Sequence, residues 1–481
     1  MRDLKTTLTT LALMLVASTA ASASTVTQGQ IIWYVDHQAA GEDDGSSWAN
    51  AFTDLADALN AANSGDEVWV AAGLYTPANA SASFNLGSGI ALYGGFDGTE
   101  DQRDARDWTA NQTILSGDVD GNDQAEIPTL PTQIVGDNAG PILIANAAGD
   151  GTRVDGFTIT AGTTANGAGI RASGGAGMII ENIDFIGNFA GNNGEGIVDI
   201  DNASPRLNRV RFLDNRAQRG AAIRIHGADS APVLTRVHFE NNQALNNGGA
   251  LYMPSNEGAA IPSATLINAT FLGNRANEGG AITCDGCVLN ISNGLFVGNV
   301  ANASGGMMQN VNDGDVTLTN VTVWSNRPTN NFGAIAHFNA STTLYNSLFW
   351  DNGNMAAIGD FEESVTASHS LVQFRSGGED GNMNGTDPAN TPQVVRLPNL
   401  NNADFGDLRH LGTSPTIGKG SNALLPPDQF DINENGNTSE PLPLDLDGNT
   451  RVVSGTVDLG PFEFDELLNL VFRDRFQSGG D

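Results

Sequence analysis

The chain has 481 residues, with 22 Lys and Arg against 55 Asp and Glu, for a net charge of −33. Such a surface will not bind nucleic acid non-specifically. Beyond the first residues no run of 18 apolar residues occurs, so no transmembrane helix is expected.

Residues 1–23 read as a signal peptide. Arg2 and Lys5 give a positive start, residues 8–16 are apolar, and Ala21-Ser22-Ala23 suits a cleavage site. Export follows, to the surface or the exterior of a bacterium. No Cys comes directly after the leader, so a lipoprotein anchor is not expected.

Residues 24–110 read as an N-terminal cap and first coils. Trp33-Tyr34-Val35-Asp36 is strand-like. Leu55, Ala58, Leu59 and Ala62 share one face of a short helix, and Gly65-Asp66-Glu67-Val68-Trp69-Val70 starts the first strand of the stack. Such a cap closes the open end of a solenoid.

Residues 111–375 contain a repeat. Seven segments end in an apolar anchor, two further residues and Asn: Phe185/Asn188, Phe212/Asn215, Phe239/Asn242, Phe271/Asn274, Phe296/Asn299, Val323/Asn326 and Phe349/Asn352. The asparagines follow one another at 27, 27, 32, 25, 27 and 26 positions. About nine residues later each copy has a small-residue bend, such as Gly-Ala-Ala-Ile223 or Gly-Gly-Ala-Leu251. Short strands, Gly/Asn turns and no helical period predict an all-β parallel β-helix, one coil per repeat. Stacked Asn side chains are expected to bond up and down one corner and to tolerate left-handed geometry there. The long coil before Asn274 is expected to place its extra residues in a loop at 255–262.

Alternation assigns two outward columns. After the bend come Arg171, Val198, Arg224, Tyr252, Thr283, Gln309 and Ala336, with Asp199 inward. After the anchor come Ile186, Leu213, Glu240, Leu272, Val297, Trp324 and Trp350. Trp324 and Trp350 lie one coil apart and either form a sugar platform or are covered by residues 390–464. Arg171 and Tyr252 are further candidate ligand contacts.

The only basic island of this acidic chain is Arg206, Arg209, Arg211, Arg216 and Arg219. It suits an anionic polysaccharide, or balances Asp184, Asp199, Asp201, Asp214 and Glu240 on neighbouring coils. For catalysis, a uronate lyase needs a cationic base with a lowered pKa, and a hydrolase needs two facing carboxylates. Arg224, His226 and Asp201 are the best candidates.

Cys284 and Cys287, in Thr-Cys-Asp-Gly-Cys, are expected to close a local disulfide in an exported chain, with free buried thiols the alternative. No further ligands at zinc spacing accompany them.

Residues 376–464 read as a C-terminal segment with irregular loops, and residues 465–481 as a tail. Asp380-Gly-Asn382-Met-Asn384-Gly385 and Asp431-Ile-Asn433-Glu-Asn435-Gly436 have the spacing of the first half of a calcium loop. Thr391 and Leu442 replace the closing Glu. Calcium is the one candidate ion, no cofactor is required, and Asx turns without metal are the alternative.

Four N-terminal motifs, Tyr34-Val35-Asp36, Gly45-Ser46-Ser47-Trp48, Gly65-Asp66-Glu67 and Tyr93-Gly94-Gly95-Phe96, join three near the C-terminus: Ser414-Pro415-Thr416-Ile417, Asp445-Leu446-Asp447-Gly448-Asn449 and Val457-Asp458-Leu459-Gly460-Pro461-Phe462-Glu463. Over residues 33–464 the chain resembles secreted bacterial right-handed parallel β-helix proteins of the choice-of-anchor type, related in pattern to polymorphic outer-membrane protein repeats. The resemblance implies a right-handed, single-stranded β-helix and a secreted or surface location, with no single activity attached. Ile417-Gly418-Lys419-Gly420 departs from the family pattern, which has an Asp before the Ala-Gly. The expectation is a monomeric, non-catalytic binding or adhesion protein for glycans or other surface components. The alternative is a lyase or glycoside hydrolase acting on an acidic polysaccharide.

Overall fold

In the computed structural model the chain is a right-handed parallel β-solenoid of about 11 turns with very little helix. Residues 29–175, 177–191, 193–255, 261–329, 333–353 and 365–466 are described. The leader, most of the tail and residues 256–260 of the expected loop at 255–262 lie outside them. Among the described residues no helix is long and apolar enough to cross a membrane.

The cap forms as its residue pattern requires. Ile32–Val35 pairs in parallel with Glu67–Ala71. Between them runs the helix Leu55–Ala61, whose first turn is capped by the Asp54 carboxylate accepting the Ala56 N–H. Its buried face, Leu55, Ala58 and Leu59, joins the core of the stack.

The coils stack as three parallel sheets. The longest contains Arg153–Thr160, Ile179–Ile186, Arg206–Leu213, Val233–Glu240, Ser263–Leu272 and Val288–Val297. The second includes Ile170–Ser173, Val198–Asp201, Ile223–His226 and Leu251–Met253, and the third Arg216–Ala217, Gln243–Ala244 and Arg275–Glu278. The anchors stand in register from Phe185 through Phe212, Phe239, Phe271 and Phe296 to Val323 and Phe349. The five stacked phenylalanine rings have centroids 4.5–5.1 Å apart. That matches the spacing of neighbouring strands, so one ring per coil fills the interior without a gap.

The Asn ladder runs from Asn188 to Asn352. Asn242 shows the pattern: its Oδ1 accepts the N–H and Nδ2 of Asn215 at 3.2 and 3.0 Å. Its Nδ2 donates to Asn274 Oδ1 and to the Phe212 carbonyl at 3.0 and 2.8 Å. The left-handed geometry falls one residue earlier than expected, on Asp214, Asn241, Ser325 and Asp351, with Gly187, Gly273 and Gly298 in the other coils. The ladder asparagine turns its amide inward, and its predecessor makes the bend.

A second left-handed column interrupts the long strands three residues before each anchor: Gly156, Asn182, Arg209, Arg236, Asn268, Asn293, Asn320 and Asn346. It decides where the C-terminal segment lies. Asn268 Nδ2 donates to the Asp445 carbonyl, Asn293 Nδ2 to Leu444, Asn320 Nδ2 to Asp458 and Gly460, and Asn346 Nδ2 to Ser421. The segment is thus pinned across the long sheet, coil by coil. It also buries an apolar stripe, in which Val297, Trp324, Leu348 and Leu371 pack against Val394, Leu408, Leu459 and Phe462.

Candidate functional site

Where the second column changes from Asn to Arg, the contacts to the C-terminal segment pass from amides to guanidinium groups, and a groove opens beside them. Its floor is the column one residue before the anchor: Thr158, Asp184, Arg211, His238, Thr270 and Leu295 on successive coils. One concavity of about 680 Å³ is lined by Trp108, Asp184, Arg209, Arg211, Arg236 and His238, among others. A second, of about 480 Å³, is lined by Arg236, His238, Asn268, Thr270, Leu446 and Phe462, among others. Arg236 and His238 belong to both, so the two form one trough along the solenoid axis.

The three groove arginines differ in their neutralisation. Arg211 clamps Asp184 with two hydrogen bonds, its Nε at 2.7 Å from Oδ1, and this pairing raises its pKa. Arg209 reaches Glu181 at 3.2 Å and Glu434 at 3.6 Å. Arg236 donates to Asn208 Oδ1 at 3.1 Å and to the Ile432 carbonyl. Among the described residues no carboxylate oxygen lies within 4.0 Å of it. Burial, then the charge of Arg209, lowers its pKa.

His238 sits between two partners. Its Nε2 meets Glu240 Oε2 at 2.9 Å and its Nδ1 meets Thr270 Oγ1 at 2.5 Å. Strand geometry explains the grouping: His238 and Glu240 are two residues apart on one face, and Thr270 is the register partner of His238 on the next coil. The hydrogen bond from His238 lowers the pKa of Glu240.

Of the residues singled out from sequence, Arg209, Arg211, Asp184 and Glu240 belong to this groove, and the catalytic candidates lie elsewhere. Arg224, His226 and Asp201 do come together, on the second sheet, but as a closed ionic network. Arg224 Nε is 2.7 Å from Glu195, and His226 Nε2 is 3.0 Å from Asp199, with Asp201 3.5 Å from His226 Nδ1. Asp199 faces outward, contrary to expectation. Val198, not Ile197, aligns with Ile170 and Ile223, so Val198 is inward and Asp199 stands in register with Arg171 and Arg224. That coil carries extra residues before its strand, which shifts the phase by one.

Tyr252 is only 8 % exposed, and Arg219 covers its ring at 5.8 Å. Trp324 is 3 % exposed beneath the C-terminal segment, so the open Trp platform does not form there. Trp350 stays partly open at a concavity shared with Gln373, Gln393 and Leu397. Cys284 and Cys287 are disulfide-bonded.

In the calcium-like loops the side-chain oxygens are engaged within the chain. Asp431 accepts the N–H groups of Asn435 and Gly436 at 2.9 Å each. Asn433 and Asn435 turn their Nδ2 groups to Glu440. Asn382 Oδ1 accepts the Ser370 N–H and Asn384 Oδ1 accepts the Thr386 N–H, while the Asp380 carbonyl accepts the His369 N–H. Among the described residues no group of three or more His, Cys, Asp or Glu is arranged to hold a metal.

Sequence reasoning passed over Arg236, His238 and Thr270. The signal was present: the position three before the anchor is Asn in five coils and Arg in two.

The repeat profile of the Chlamydia polymorphic membrane protein matches residues 236–254, part of one coil. No curated protein matches the chain. Solved structures with a similar course include pectate lyase Pel9A, at 14% identity and a TM-score of 0.44 over 91% of this chain and 97% of that one. A rhamnogalacturonan lyase has 10% identity and a TM-score of 0.44 over 80% and 97%. A family 28 exopolygalacturonase of Yersinia enterocolitica has 12% identity and a TM-score of 0.29 over 71% and 77%. No chemistry is carried over from these likenesses.

Proposed function

We propose that the chain is a surface or extracellular β-helix protein that holds an acidic polysaccharide in this groove. The observation that carries the reading is Arg236, a partly buried guanidinium without a carboxylate partner in a chain of net charge −33. A buried cation that is not paired costs free energy, and a ligand carboxylate relieves that cost through paired hydrogen bonds. The groove floor crosses six coils, about 24 Å at a ~4.8 Å strand spacing, which suits an extended oligosaccharide rather than a small anion. Trp108, 40 % exposed at one end with Arg106 over its ring, offers a stacking surface for a sugar.

The leader-like residues 1–23 and the match to a membrane-protein repeat support the location, and the choice-of-anchor resemblance agrees with it. Titration calorimetry with polygalacturonate oligomers, against a neutral glucan, tests the binding. Arg236→Gln is expected to weaken the acidic oligomer at least about tenfold, the loss of one charge-assisted hydrogen-bonded contact. Equal affinities for the variant, or preference for the neutral glucan, would refute the reading.

A second reading is favoured by the lowered pKa of Arg236. A cationic side chain made less basic by burial is what proton abstraction beside a uronate carboxylate requires. Release of unsaturated uronate that disappears in Arg236→Gln would select a lyase over a binding protein.

A further inference from the structure

The groove contains, besides its cations, a hydroxyl, an imidazole and a carboxylate in line. We propose that Thr270, His238 and Glu240 form an acyl-transfer centre that removes O-acyl esters. The bound acidic polysaccharide would carry those esters. The inference rests on the binding reading only for the identity of that polymer; the chemistry of the three residues stands without it.

The geometry meets the requirements for an activated hydroxyl. Nucleophile and base are 2.5 Å apart, and base and orienting carboxylate 2.9 Å. With Nε2–H donated to Glu240, His238 presents the Nδ1 lone pair to the Thr270 hydroxyl. Thr270 and Arg236 line the same concavity. Arg236 uses N–H groups on Asn208 and Ile432, and its remaining N–H groups are available to an oxyanion. The ordinary alternative is a structural hydrogen bond between neighbouring coils. Another imidazole of the fold takes a structural bond to a hydroxyl within its own coil: His337 Nε2 meets Thr342 Oγ1 at 2.7 Å, but both are buried. His238 and Thr270 are partly open, and both face the trough.

The reaction balances with water as the second substrate. Thr270 Oγ1 attacks the ester carbonyl carbon, and its proton passes to His238 Nδ1. The oxyanion forms beside Arg236. Collapse breaks the bond to the sugar oxygen, which takes the proton from Nδ1 and leaves as the alcohol, with the acyl group on Thr270. Water, deprotonated by His238, then attacks the acyl-threonine, and the carboxylic acid departs as Thr270 regains its proton. Glu240 acts as a positioning residue that fixes the imidazole tautomer.

The test uses the whole chain and two probes, 4-nitrophenyl acetate and O-acetylated polygalacturonate. Thr270→Val, which keeps the shape, is expected to lower kcat/KM for both at least about 100-fold, with an unchanged melting temperature. Thr270→Ser should stay within about tenfold of wild type, and Glu240→Gln should lower kcat more than it raises KM. Acid quench during turnover should leave an acetyl group on the Thr270 peptide. Equal rates for wild type and Thr270→Val, no turnover of either probe, or an acetyl group on another residue would overturn the proposal. If 4-nitrophenyl acetate turns over through Thr270 and the polymer neither binds nor reacts, the acyl-transfer centre stands and the polysaccharide reading fails. If the polymer binds through Arg236 and neither ester is cleaved, the reverse holds.

Discussion

The Arg451 guanidinium is 0 % exposed and meets Glu463 Oε1 at 2.8 Å. It also donates to Asn293 Oδ1 and to the carbonyls of Asp458 and Gly460. One side chain therefore ties the coil of Asn293 to the end of the C-terminal segment. Removing Arg451 leaves the buried Glu463 carboxyl, the Asn293 Oδ1 and two carbonyls without their donor. Arg451→Met is expected to lower stability by about 3–5 kcal/mol in urea unfolding. Adding Glu463→Gln should restore part of the loss. A single variant as stable as wild type would show that the pair does not hold the segment.

The Asn ladder allows a similar test inside the solenoid. Asn242→Ala removes the acceptor for two N–H groups of Asn215 and the donor to Phe212 and Asn274. With that side chain fully buried, the cost expected from thermal or urea melts is about 3 kcal/mol. A change below about 1 kcal/mol would mean that neighbouring coils close over the gap.

Arg209 and Arg236 sit at φ 54° and 52°, a conformation that Asn adopts with less strain. Arg236→Asn should therefore raise stability by about 1 kcal/mol while weakening acidic oligosaccharides. Opposite movement of melting temperature and affinity marks a position held for function. Loss of both would indicate that the Ile432 contact matters more than the backbone strain.

His410 gives the protein an acid-sensitive joint. Buried between the Leu459 carbonyl and Thr416, it has its pKa lowered by burial, with Asp458 opposing and Arg451 adding to the shift. The unfolded chain takes up a proton as pH falls below about 6.5, and the folded one does so only lower. The stability is complete above that pH and lost on acidification, by about 1.4 kcal/mol per pH unit. Burial raises Glu463 to about 8, which acts in the opposite sense over the same range. Comparing melting temperature against pH for wild type and His410→Gln cancels that term. A wild-type curve parallel to the variant's would exclude His410 as the cause.

Much of the scaffold was legible because stacking repeats it. The anchors, the ladder Asn and the bends recur in sequence and stand in register in space. The phase error at Val198 arose where one coil carries extra residues, since periodicity cannot locate an insertion within a coil. The groove was hidden for a different reason. His238, Glu240 and Thr270 meet through the coil register, and the long coil stretches the spacing between His238 and Thr270 to 32 positions. The Arg island was visible, yet its groove members Arg209 and Arg211 are paired with carboxylates, and the groove arginine with none within 4.0 Å among the described residues, Arg236, lies outside the island. The covering of Trp324 depended on a segment that is distant in sequence.

The column three residues before each anchor behaves as a row of fasteners, one per coil. Asn268, Asn293, Asn320 and Asn346 fasten the C-terminal segment by their amides, whereas Arg209 and Arg236 reach it through charged heads, at Glu434 and at the Ile432 carbonyl. Each Asn-to-Arg exchange would carry the row of cations one coil further, about 4.8 Å. The reach of the groove along a polymer is thus a countable property of the chain, set one residue at a time while the buried stack beneath is left unaltered.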